Sequence, residues 1–137
     1  MEFEFWGLMH DGGIEAIHGE VPGIVSIEVS IQYLREQFPG EGTGFRIVLA
    51  NCGELTYREY DSTPVTDFDA IVALEPEIVS VEKCESCVVV NCVMGTLTIS
   101  YEAAAIFLDS GEEVSIAQLA AGSKAYWDAW AAANGKR

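Results

Sequence analysis

Apolar residues recur at every second position through most of this chain. The stretch IVSIEVSI shows it most plainly: Val25, Ile27, Val29 and Ile31 fall on one face, and Ser26, Glu28 and Ser30 on the other. A period of two belongs to a β-strand with one buried and one wet face. The same reading makes strands of FEFWGLMH and GIEAIHGEV. The DGG between them predicts a hairpin, because glycine accepts the positive φ that tight hairpin turns require. FRIVLANC and ELTYREYD read as a further pair of strands around Gly53. EIVSVEKC, CVVVNCV, GTLTISYE and AAIFLDSG read as four more.

Three segments break the alternation. QYLREQF runs into PGEGTG, which predicts a helical turn or irregular crossover before Pro39. In STPVTDFDAIVALEP, Thr66 stands three residues before Asp69, the spacing of an N-cap with an acidic first turn, and this short helix must end near Pro76. VSIAQLAAGSKAYWDAWAAANGKR predicts the longest element, a helix of about eighteen residues. Ser115 and Gln118 have capping-box spacing, and Val114 and Leu119 occupy the positions of a hydrophobic staple. Ile116, Leu119, Ser123, Tyr126, Trp127 and Trp130 share one face, and Asn134-Gly135 supplies the stop, followed by Lys136 and Arg137. The expected architecture is therefore α+β and mainly antiparallel. It has eight or nine short strands in a sandwich or half-barrel, one short helix, and a C-terminal helix laid across the sheet by its aromatic stripe. A length of 137 residues without repeat or linker fits one domain, 1–137.

Charge narrows the partners. Twenty-two acidic residues against seven basic ones leave a net charge of −15. Such a surface repels phosphate backbones and anionic lipid, so nucleic acid and membrane are not expected, whereas a basic protein would be attracted. The amino terminus starts acidic and lacks the basic start of a signal peptide, which points to the cytoplasm and to reduced thiols.

VEKCESCVVVNC contains the most suggestive spacing in the chain. Side chains alternate along a strand, so Cys87 and Cys92, five positions apart, point to opposite faces. Cys84 and Cys87 converge only across a turn at Glu85-Ser86, and no second pair of that spacing completes a zinc set. A hairpin also lacks the helix dipole that activates redox thiols. These cysteines read as core and turn residues. The expected first hairpin places His10 with Trp6, Leu8, Glu15 and Ile17, and His18 with Phe3, Phe5, Met9, Ile14 and Ala16. The imidazoles then look apart, His18 is a core or rim residue, and His10 with Glu15 forms a cross-strand surface pair. GEGTG lacks the Lys-Ser/Thr ending of a phosphate loop, no Gly-x-Ser-x-Gly elbow occurs, and Asp61, Asp67 and Asp69 lack the glycine and distal glutamate of a calcium loop. No catalytic residue and no cofactor is expected.

The remaining signal is aromatic. Tyr126, Trp127 and Trp130 exceed what one narrow helix face must bury, and such rings favour partner surfaces. Candidate interface or pocket residues are therefore Trp6, His10, Glu15, Tyr126, Trp127 and Trp130. The leading expectation is a non-enzymatic module that binds a protein partner, basic or a second copy of itself as a homodimer. Length, acidity and the sheet-plus-helix pattern resemble small bacterial antitoxin-like or immunity proteins, a likeness of overall pattern that implies an inhibitor of a basic partner. A small-molecule binder or hydrolase with a carboxylate/His pocket is the alternative from another class. Buried indoles would leave a plain domain, and exposed ones would mark where something docks.

Overall fold

The computed structural model describes residues 1–134. Two antiparallel sheets form from nine strands. The first holds β1 (Gly13–Gly19), β2 (Gly23–Ser30), β3 (Gly44–Cys52), β8 (Ala103–Leu108) and β9 (Glu113–Val114), in the order β1-β2-β3-β8-β9. The second holds β4 (Glu54–Glu59), β5 (Ile78–Lys83), β6 (Val88–Cys92) and β7 (Gly95–Ser100), in the order β4-β7-β6-β5. Val25, Ile27, Ile47 and Leu49 from the first sheet share one core with Leu55, Val90, Leu97 and Ile99 from the second. Two sheets closing over a single core make a sandwich. Burying each such side chain contributes about 1.5–3 kcal/mol, so the alternating strands supply most of the driving force.

The first expected hairpin does not form. FEFWGLMH contributes a single helical turn, α1 (Phe5–Leu8), and Phe5, Trp6 and Met9 are all buried. Neighbours such as Phe5 and Trp6 cannot both face inward from a strand, but on a helix they lie only about 100° apart, and Met9, three and four positions on, falls on the same side. Trp6 then anchors the turn: its indole N–H donates to the Tyr101 hydroxyl at 3.2 Å, and that hydroxyl donates to the Glu2 carbonyl. Gly12 serves close approach. A Cβ there would stand 2.7 Å from a Val29 methyl and 2.8 Å from the Met9 carbonyl.

β1 pairs with β2 instead, and its register shifts between Ile14 and Ala16. The extra residue of this bulge lets Ile14 and Ile17, three apart, both face the core while Glu15 and His18 face out. FRIVLANC and ELTYREYD are strands as expected but do not pair with each other. β3 joins β2 and β8, β4 joins β7, and Gly53 is where the chain leaves one sheet for the other. The crossover before Pro39 contains α2 (Gln32–Arg35). The short helix α3 (Phe68–Ala73) is capped by Asp67, one residue after the expected Thr66, whose carboxylate accepts the Ala70 N–H at 2.9 Å.

The C-terminal helix α4 (Ile116–Asn134) starts with the expected reciprocal cap. Ser115 Oγ accepts the Gln118 N–H at 3.0 Å and Gln118 Oε1 accepts the Ser115 N–H at 2.8 Å, while Val114 and Leu119 are buried together. Ser115→Ala is expected to lower stability by about 1 kcal/mol, read as a shift of the urea midpoint without a change in slope. An unchanged midpoint would show that the cap is idle. The main contacts of α4 are with α1 and α2, which in turn pack against β5 and β3, and its Leu119 reaches the shared core. The expected stop at Gly135, with Lys136 and Arg137, lies outside the described residues.

Candidate functional site

Three segments far apart in sequence meet where α4 crosses the short helices. His10 follows α1, in a turn closed by Asp11 at φ +73°. Tyr33 sits on α2, and Tyr126, Trp127 and Trp130 sit on α4. The His10 and Trp127 rings stack at 5.6 Å with 22° between planes. Tyr33 lies 4.5 Å from Tyr126 and 5.7 Å from Trp127, edge-on to the latter, and Trp127 meets Trp130 at 6.0 Å. These are the offset and edge-to-face separations at which aromatic pairs attract. The result is a continuous aromatic surface.

The surface is open to water at its centre. Trp127 is 36% exposed and Trp130 49%, whereas the third indole, Trp6, is fully buried. Leu119 and Ser123 are the buried residues of α4, Tyr126 is half-buried against Tyr33, and Trp127 and Trp130 beyond it are exposed. Four of the residues singled out from sequence are thus together here: His10, Tyr126, Trp127 and Trp130. Trp6 belongs to the core. Glu15 stands on the outer side of β1, and the expected His10–Glu15 contact is replaced by one between His10 Nδ1 and Asp11 at 3.3 Å, because α1 removes the hairpin that would have paired them. Sequence reasoning missed Tyr33 and Asp11. A helix of one turn has no periodicity to reveal which way Tyr33 faces.

One carboxylate, that of Asp11, borders the rings, and two more stand on the helices that carry them. Asp11 flanks His10, Glu36 lies one turn along from Tyr33, and Asp128 follows Trp127, where it pairs with Lys124 at 2.6 Å. Burial first, then the charge of Asp11, pushes the Tyr33 phenol up to about 12. It therefore stays protonated and donates to the His10 carbonyl at 3.1 Å. The same hydroxyl stands 3.4 Å from His10 Nε2, and the imidazole stacks on Trp127. The arrangement provides stacking area with negative charge at its border.

The other chemistry-bearing residues lie elsewhere. His18, expected in the core or at its rim, is 65% exposed on the outer side of β1, with Nε2 3.6 Å from Glu28, because the bulge at Ile14 reverses the facing of that half of the strand. Cys84 and Cys87, expected as reduced thiols, are joined in a disulfide across Glu85-Ser86; the turn brings their Cα atoms to 5.1 Å, within bridging range. Cys52 and Cys92 are free and buried in the core, and burial raises both thiols, Cys92 to about 12, so neither forms a reactive thiolate near neutral pH. Among the described residues no three His, Cys, Asp or Glu side chains are placed to hold one metal ion, and no helix is long and apolar enough to cross a membrane. Comparison with models of known protein families, with curated proteins and with solved structures gives no match.

Proposed function

We propose that this protein is a non-enzymatic binding module whose aromatic surface on α4 docks a basic segment of a partner protein. The observation that carries this reading is the exposure of Trp127 and Trp130 beside Tyr126, Tyr33 and His10. Large rings left in water cost burial energy that a partner recovers, and Trp and Tyr dominate the energetics of protein interfaces. Charge selects the partner's chemistry. A net charge of −15 steers cationic surfaces toward the protein, and Trp faces bind guanidinium and ammonium groups by cation–π attraction. The same charge opposes a second copy of the chain at this surface. An inhibitor that occludes a basic partner is one form this docking takes. The expected cytoplasmic setting is not required: the disulfide lies at the β5–β6 turn, away from α4 in the chain, and the reading holds in either redox compartment.

A direct test is a fluorescence titration with an Arg/Ala peptide of about ten residues, against a Glu/Ala peptide of equal length. The arginine peptide is expected to bind, with affinity falling roughly tenfold between about 50 mM and about 300 mM salt, and the glutamate peptide to leave the spectrum unchanged. Affinity independent of salt would contradict a charge-steered partner.

A further inference from the structure

The far end of β1 from His10 borders an open groove. This groove, of about 830 Å³, runs between the two sheets. One wall is the segment from Ile17 to Val21, the other is Gly53 to Thr56, and residues Thr66 to Asp69 close the end. β1 and β4 are the outermost strands of their sheets. On its outer side β1 is bridged at Gly13, to Glu77, and packs against α3, with Val72 beside Gly13–Glu15, so that the open part of its edge is its last residues; β4 is bridged at Tyr57, to Val65. Ile17–Gly19 and Glu54–Thr56 therefore have, among the described residues, a strand partner on one side only. An edge left in this way is a template for another extended chain. Ile17 and Leu55 are buried at the base, while the exposed carboxylates of Glu20, Glu54 and Asp69 border the opening. No lysine or arginine lines it.

We propose that this groove takes an extended, lysine-bearing peptide segment, which adds to the edge of β1 as a strand. Backbone hydrogen bonds to Ile17–Gly19 supply affinity, alternate side chains reach the apolar base, and the remaining ones meet the three carboxylates. Neither the aromatic surface nor its partner enters this argument.

The probe is an eight-residue peptide alternating lysine and valine, compared with the same peptide N-methylated at every second residue and with a Glu/Val version. Amide shifts of the labelled protein report where each binds. The parent peptide is expected to shift Ile17–Gly19 and Glu54–Thr56, and N-methylation to weaken it about tenfold or more, since it keeps the charge and removes backbone donors. The Glu54→Lys/Asp69→Lys variant, altered at exposed positions, is expected to lose the Ile17–Gly19 shifts by a similar factor. Equal binding of parent and N-methylated peptides, shifts confined to α4, or no binding would each overturn the proposal.

Discussion

Replacing Arg35 with methionine is expected to destabilise the protein by about 3 kcal/mol, the low end for breaking a buried ion pair. Arg35 is 1% exposed, and its guanidinium is held from several directions. Nε donates to Asp109 Oδ1 at 2.8 Å, Nη1 to the Pro39 carbonyl at 3.1 Å, and Nη2 to the Glu41 carbonyl at 3.1 Å. Asp109 in turn accepts the Thr43 N–H at 2.7 Å and the Gly44 N–H at 3.1 Å. One cation thus fastens the PGEGTG crossover to the turn after β8. Methionine fills comparable volume but leaves these acceptors without a donor, which is the costly half of the exchange. The loss stays near the lower limit because Asp109 keeps 36% exposure and water can solvate it again. Arg35→Lys recovers only part, since one ammonium cannot span the fork of acceptors.

The same pair makes stability depend on pH. Burial disfavours the Asp109 carboxylate, but the Arg35 hydrogen bond, the Thr43 and Gly44 N–H groups and the Arg35 charge outweigh it and hold the carboxyl below its ordinary value. A depressed folded-state pKa stabilises the fold above the unfolded-state pKa, and that contribution disappears as pH falls through the folded-state value. Urea midpoints measured toward acid should therefore drop more steeply for the wild type than for Arg35→Met. Parallel acid limbs would show that Asp109 does not sense Arg35.

The second large effect is on binding. Trp127→Ala with Trp130→Ala is expected to weaken the arginine peptide at least 30-fold, the consequence of removing about 2 kcal/mol of interface energy. Stability should fall by about 1 kcal/mol, because Trp130 is half exposed in the free protein and Trp127, about a third exposed, loses its ring contacts with His10, Tyr33 and Tyr126. Calorimetric titration and urea unfolding separate the two quantities. Loss of stability in proportion to binding would make the rings structural.

Mainly antiparallel strands were legible because β2 alternates cleanly, with Val25, Ile27 and Val29 facing the core and the residues between them not, whereas sandwich or half-barrel depends on strand order, which alternation does not carry. The cap of α4 was legible because Ser115 and Gln118 interact within one turn. Departures arise where tertiary context overrides the local pattern. FEFWGLMH alternates well enough for a strand, but a turn of helix lets Phe5, Trp6 and Met9 reach one core. A bulge at Ile14 leaves no mark in composition, yet it decides where His18 points. The aromatic stripe on α4 was visible, while its exposure was not, since that depends on how far α1 and α2 extend beneath it. Tyr33 and Asp11 join the site only through the path of the chain around those two helices. The Cys84–Cys87 bridge is not legible because an acidic amino terminus points to a reducing compartment, where two thiols converging across a turn stay apart.

Three tryptophans give three indole N–H resonances, and following them through a titration with the arginine peptide tests the docking surface most directly. The Trp127 and Trp130 signals should shift together with increasing peptide while that of the buried Trp6 stays in place. A titration in which the peptide binds and neither exposed indole moves would contradict the account.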